Sequence, residues 1–230
     1  LARVTTKAAS RKNAPSQAVA EIDPKASGKT LVAEGKSLAA SDPERAMRSF
    51  NEALRKDPNT GEAYLQRGIL HIRQEKATAA LSDFENAVRL DRTADAWVWL
   101  AVANFHLKHY KEVGEVARSL SGPFNNPFVH GLARIGARSM SDARYALGEA
   151  SDHSTDADAP THCELGKAFL RVGKPDKASG HFSRAIDLQP GMAEVYLQRA
   201  QAWEKTRNRA AAKADREMYR KLTGGPSQSS

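Results

Sequence analysis

The sequence holds one cysteine, Cys163, in 230 residues. An internal disulfide framework and a cysteine-built zinc site are therefore excluded. That usage suits the cytosol and many periplasmic proteins alike, so it does not fix a compartment. No run approaches the ~20 consecutive apolar residues that a membrane-spanning helix needs. There is no glycine-rich phosphate loop, no G-x-S-x-G and no His-Glu-x-x-His, so the common nucleophile, nucleotide and zinc-hydrolase signatures are missing. Seven histidines invite a metal reading. His106 and His109 share a helical spacing, but no carboxylate or third histidine stands at a fitting distance in sequence. His162 beside Cys163 is no nucleophile pair, because neighbours on a helix point about 100° apart. Cys163 reads as a small semi-buried hydrophobe. "DHSTDAD" gathers Asp152, Asp156 and Asp158 but lacks the glycine and distal glutamate of a calcium loop. These carboxylates read as solvated linker charge. The expectation is a chain that is not an enzyme and carries no cofactor.

Positive charge, by contrast, is in excess: the net charge is +8. The excess sits at the ends. Residues 1–30 carry Arg3, Lys7, Arg11, Lys12, Lys25 and Lys29 against Glu21 and Asp23, and residues 199–221 carry eight basic groups against three acids. Basic ends suit an acidic partner, an anionic membrane surface or nucleic acid. On the last helical segment, however, Arg207, Arg209, Lys213, Arg216 and Arg220 spread around the circumference instead of forming one stripe. Residues 1–27 are rich in Ala, Ser, Lys and Pro without apolar periodicity, and read as an arm or linker. Residues 224–230 read as a tail. The sequence opens on Leu1, so the expected compartment is the periplasm or cell envelope if a signal precedes Leu1, and the cytoplasm otherwise.

Between the ends the apolar pattern is helical throughout. Ala46, Phe50, Ala53 and Leu54 fall on one face; so do Ala80, Phe84, Ala87 and Val88, and again Ala178, Phe182, Ala185 and Ile186. Each stripe follows another helical segment. Gly68 and Gly166 stand twelve residues before Ala80 and Ala178, where a small residue lets two helices lie close. Pro43 and Pro175 sit at helix starts, and Pro58 and Pro190 just past helix ends. The segment "EAYLQR" at 62–67 returns as "EVYLQR" at 194–199, an offset of 132 (196 − 64 on the tyrosines). The same offset joins Ala46 to Ala178, Phe50 to Phe182 and Pro58 to Pro190, so a two-unit block recurs.

This combination resembles the tetratricopeptide repeat, a 34-residue helix pair. Units at about 28–60, 61–94 and 159–192 match well. The unit at 193–223 has Arg216 where its siblings have Phe, and reads as a terminal cap. Units at 94–125 and 126–157 are divergent. The second helix of the former is cut off by "SGPFNNP", and the latter keeps only Gly131, Ala143, Leu147 and Ala150 in register. The implied fold is all-α: a right-handed superhelical solenoid of about six antiparallel helix pairs spanning 28–223. An alternative is two three-pair domains hinged near Ser121–Asn126. A continuous stack is favoured because each unit buries its apolar face only against a neighbour.

The resemblance also implies that the first helix of each pair lines a concave face that binds extended peptides or partner helices. Carried over position by position, that face divides in two. Leu65, Ile69, Val98, Trp99, Val102 and Phe105 form an apolar strip, with Arg73 and His106 beside it. Lys167 and Arg171 lead a polar, mostly basic strip in the fifth and sixth units. An apolar strip of that size is unusual unless covered. Either a partner covers it, with Trp99 as anchor, or superhelical curvature or the 1–27 arm does. The carboxylate clamp of some family members is absent, because Leu65, Ile69 and Trp99 occupy its positions. The functional expectation is a scaffold that binds another protein, an assembly or accessory factor of a larger complex in a bacterial setting. The alternative is a basic module that binds nucleic acid or an anionic membrane through its Lys/Arg-rich ends.

Overall fold

The computed structural model describes residues 26–120, 126–152, 154 and 157–224. Among these there are twelve helices and no strand. They form six antiparallel pairs: α1 (Gly28–Leu38) with α2 (Pro43–Lys56), α3 (Gly61–Arg73) with α4 (Ala77–Asp91), and α5 (Ala94–His106) with α6 (Tyr110–Ser119). The series continues with α7 (Pro127–Gly136) and α8 (Met140–Asp152), α9 (Ala159–Arg171) and α10 (Pro175–Leu188), and α11 (Ala193–Lys205) and α12 (Arg209–Thr223).

Helix starts follow from local chemistry. Ser27, Asp42, Thr93, Asn126, Asp158 and Asn208 each accept a first-turn backbone N–H through the side chain. Asp158, expected to be solvated linker charge, is thus the N-cap of α9, bonded to the Thr161 amide at 2.9 Å. Asp156 lies outside the described residues. Pro43, Pro127 and Pro175 occupy the first turn, where the missing N–H costs nothing. From the second pair to the sixth, the turn between the two helices passes through one left-handed residue: Glu75, Lys108, Arg138, Gly173 and Arg207, with φ between 59° and 72°. Only one of the five is glycine, so four turns carry a backbone penalty that packing offsets.

Within a pair, glycine meets an aromatic ring. A Cβ built on Gly68 would lie 2.5 Å from the Phe84 ring, and one on Gly166 equally close to Phe182. Both rings are fully buried. The divergent third unit exchanges sizes: Ala101 stands for the glycine and Ala117 for the Phe, and both are buried. In the fourth unit Gly131 faces Leu147 instead. The centre therefore departs from the repeat by substitutions that still interdigitate.

The recurring block carries a polar clamp as well. Arg67 donates to both carboxylate oxygens of Asp83, at 2.9 and 2.6 Å, and to Asn51 of the preceding unit at 2.8 Å. The clamp returns 132 positions later with one acceptor changed. Arg199 donates to Asp215 at 2.9 and 2.6 Å, and to Ser183 in place of an asparagine at 3.0 Å. Tyr64 and Tyr196 lie under the respective guanidinium groups.

Pairs stack so that first helices touch in series, α1 on α3, α3 on α5, α5 on α7, α7 on α9 and α9 on α11. One buried apolar cluster runs from Leu65 on α3 to Ala202 on α11, through Leu120 and Phe128 on either side of the 121–125 connection. Of the hinge expected near Ser121–Asn126, residues 121–125 lie outside the described set and Asn126 is the N-cap of α7; the arm up to residue 25 and the tail from 225 also lie outside it.

Candidate functional site

The first helices, α3, α5, α7, α9 and α11, surround a channel, and all ten residues expected to line the concave face are found on it. Leu65, Ile69, Val98 and Trp99 line a cavity of about 370 Å³ whose far wall is Phe128 and Leu165. Arg73, Val102, Phe105, His106, Lys167 and Arg171 line a second, of about 460 Å³, together with Glu164, Glu194, Gln198 and Gln201.

The apolar strip is not an open wall. Leu65, Ile69, Val98, Trp99, Val102 and Phe105 are only 1–7% exposed and belong to the same cluster as Phe128, Leu132 and Leu165. Trp99, the expected anchor, is 3% exposed and stacks on Phe84 with centroids 6.0 Å apart. The expectation of an exposed apolar groove is thus corrected: the superhelix curves until its own fourth and fifth units face the second and third. Helical periodicity identifies inward-facing residues but not what stands opposite them.

Polar links cross the channel. Arg73 on α3 donates from Nε to Glu194 on α11 at 2.7 Å and from Nη1 to the Ala39 carbonyl at 2.6 Å. These contacts join residues 121 and 34 positions apart. Gly191 lies against the Ala40 carbonyl, where an added Cβ would sit 3.3 Å away, so the first unit also approaches the turn before α11. His106 on α5 reaches Glu164 on α9 at 3.0 Å, and Lys167 donates to the same carboxylate at 2.7 Å. Burial pushes the Glu164 carboxyl up, but Lys167 and His106 together outweigh it and hold it at about 2. Burial likewise pulls the Lys167 ammonium down, and Glu164 more than restores it, leaving it raised.

Arg171 differs from its neighbours. Its guanidinium lies over the Phe105 ring at 4.7 Å, and it has no carboxylate partner among the described residues. Glu62, Asp95 and Asp158 gather beside Leu65 and Ile69, where burial first, then Asp158 and Glu62, raises the Asp95 carboxyl.

Two features escaped sequence reasoning. The clamp of Arg67, Asp83 and Asn51 was visible as an offset of 132 to Arg199, Asp215 and Ser183. The second is a buried imidazole pair. His162 and His181 share a hydrogen bond of 3.1 Å between their Nδ1 atoms, so one donates and the other accepts. His181 also stacks on Phe169 and bonds Ser151 on α8 at 3.1 Å. Burial, then His162 and Lys177, pulls His181 down to about 4. Cys163 is buried and its thiol is pushed up to about 12, chiefly by burial. Such a thiol is not a nucleophile at neutral pH. Among the described residues no group of three or more His, Cys, Asp or Glu is arranged to hold a metal ion. None of the described helices is long and apolar enough to cross a membrane. Of the basic groups on the last helices, Arg216 pairs with Glu204, Arg199 with Asp215, and Lys213 approaches Glu217 at 4.0 Å.

Stacked antiparallel helix pairs around a channel define a helical-repeat scaffold. A family model described as tetratricopeptide repeat matches residues 37–87, 65–119 and 163–226. The chain belongs to the tetratricopeptide repeat family, whose fold is that of a protein–protein interaction scaffold and whose members are generally not enzymes. Among curated proteins it is similar to NADPH oxidase activator 1 of Rattus norvegicus, 39% identical over 51 residues, which is 22% of this chain and 11% of that protein. The match thus spans about a ninth of that relative. Among solved structures it is similar to the APC/C hetero-tetramer Cut9–Hcn1, with TM-score 0.54, 18% identity, 87% of this chain and 40% of that one. It also resembles a thermophilic TPR protein of Thermus thermophilus, with TM-score 0.53, 17% identity, 76% of this chain and 98% of that one. A monomeric mutant of IFIT1 with Gppp-AAAA gives TM-score 0.55, 19% identity, 88% of this chain and 51% of that one. At these identities the likeness concerns the fold.

Proposed function

We propose that the chain is a non-enzymatic scaffold that holds an extended segment of a partner protein in the polar part of its channel, as an assembly or accessory factor of a larger complex. The observation that carries this reading is Arg171: a cation over Phe105, without a carboxylate of its own among the described residues, on the wall of a cavity of about 460 Å³. That volume is in the range of ligand pockets, about 300–1,000 Å³. An α-helix, about 10–12 Å across with its side chains, does not pass where Arg73 bonds Glu194 and His106 bonds Glu164. An extended strand is narrower, and its backbone needs donors and acceptors on both sides. Gln198 and Gln201 supply both, while Arg171 receives an acidic side chain. Because the channel walls are preformed, ordering falls mainly on the partner.

The test is selection from a displayed library of random peptides against wild type and Arg171→Glu. Peptides bearing Asp or Glu are expected to be enriched on the wild type and lost on the variant. Failure to enrich any peptide, or enrichment indifferent to Arg171→Glu, overturns the reading.

A further inference from the structure

The valley between α6 and α7, on the side away from the channel, departs from the α2–α3 and α10–α11 junctions. One residue before Gly68 and Ala200 stand Arg67 and Arg199; one before Gly131 stands His130. One residue after Phe50 and Phe182 stand Asn51 and Ser183; after Ala117, the residue in their register, stands Arg118. One before Phe84 and Arg216 stand Asp83 and Asp215; before Leu147 stands Ala146. The clamp that closes the α2–α3 and α10–α11 junctions therefore has its acidic member replaced by alanine here. Two basic side chains face a junction from which the carboxylate has been removed.

The loss of bulk at Ala117, where the first, second and fifth units have Phe, accompanies an open groove of about 570 Å³. Gly114, Ala117, Ala133 and Ala137 give it a small-residue floor, and a Cβ built on Gly114 meets nothing within 4 Å. The Tyr110 ring, packed over Gly136, closes one end. Lys111, Arg118, His130 and Arg134 form the rim, and no Asp or Glu among the described residues lines the groove. Carboxylates engage Lys111 and Arg134 only weakly: Glu115 is 3.9 Å from Lys111 and Asp142 is 4.0 Å from Arg134, both pairs largely exposed. The two helices of 10 residues each make a valley about 15 Å long, three turns of helix.

We propose that this groove docks a short amphipathic helix of a partner protein, with an apolar ridge on the Gly114–Ala117–Ala133 floor and Asp or Glu at both edges against Arg118, His130 and Arg134. Small floor residues allow close approach of the helix, and the acidic edges supply the carboxylate that Ala146 lacks. This surface is separate from the channel and does not depend on it.

The experiment is fluorescence anisotropy on the full chain with a labelled, hydrocarbon-stapled 16-residue helix, about three to four turns long, bearing Leu and Ala on one face and Glu on both flanks. A matched peptide with Lys for Glu and a single-stranded oligothymidylate serve as comparisons. The Glu peptide is expected to bind at least about tenfold more tightly than the Lys peptide, and less tightly as salt rises. Gly114→Leu fills the groove without a clash at Cβ and is expected to weaken binding at least about tenfold while the thermal melt holds. Arg118→Glu with Arg134→Glu is expected to reverse the preference between the two peptides. Equal binding of both peptides, binding untouched by both groove variants, or preference for the oligothymidylate overturns the proposal. So does concentration-dependent dimerisation, in sedimentation, that Gly114→Leu abolishes.

Discussion

Replacing Gly68 by Ala tests the packing between helices of one pair, because two effects of known size act in opposite directions. An interior helical Gly→Ala change gains about 1 kcal/mol from backbone propensity. The added methyl would lie 2.5 Å from Phe84 Cε1, on a ring with no exposed surface that also stacks on Trp99. A ring so confined cannot swing aside cheaply, and overpacking of a core site costs about 1–3 kcal/mol. The expected net effect, taking about 2 kcal/mol for overpacking against about 1 for propensity, is a loss of about 1 kcal/mol. Gly114→Ala is the control, since its Cβ finds open space; it should gain up to about 1 kcal/mol. Adding Phe84→Leu to Gly68→Ala recreates the glycine-to-alanine and Phe-to-smaller exchange that the third unit makes at Ala101 and Ala117. The double variant should therefore lose at least about 1 kcal/mol less than the sum of the singles. Urea unfolding followed by far-UV circular dichroism gives all four values. If Gly68→Ala stabilises as much as Gly114→Ala does, the Phe84 ring does not confine this position.

Asp83→Ala strands Arg67, whose side chain is 22% exposed, and should cost about 2 kcal/mol in urea unfolding. Asp215→Ala breaks the equivalent contacts in the terminal unit, so hydrogen exchange should show fraying confined to α11 and α12. The buried pair of His162 and His181 makes stability fall in acid. Unfolded histidines take up protons below about 6.5 whereas His181 stays neutral down to about 4, so the unfolded state binds more protons across that window. The ceiling is about 3 kcal/mol, and partial solvent access lowers it to about 2 kcal/mol; urea midpoints from pH 7 to 4.5 should drop, and His181→Gln should flatten the slope. Lys108 holds φ of 63°, so Lys108→Gly should raise stability by up to about 1 kcal/mol, whereas Gly173→Ala should lower it.

How much of this was legible in the sequence depends on the range of the interaction. Ala46, Phe50, Ala53 and their counterparts declare helix faces because periodicity is local. Gly68 and Gly166 declare close approach because their spacing to Ala80 and Ala178 repeats. The ten residues named for the concave face were chosen by the same periodicity, and they line the two cavities. What lies opposite Trp99 was not legible, since Leu165, which lines the same cavity, belongs to a helix two units further on. The link from Arg73 to Glu194 closes over 121 positions and leaves no local trace. His162 and His181 meet between two helices, and nothing in their spacing of 19 marks a pair. Asp158 was readable in principle: an aspartate one residue before the Ala159–Pro160 helix start is an N-cap pattern.

The most direct test of the channel as a binding site is a backbone amide chemical-shift map of the isotope-labelled chain, recorded with an acidic peptide selected from the displayed library. The perturbed amides should cluster on α9 and α11, around Arg171, Gln198 and Gln201, and Arg171→Glu should abolish the perturbations. Perturbations centred on the outer helices or on the basic residues of α12, with the channel amides unmoved, would contradict binding in the channel.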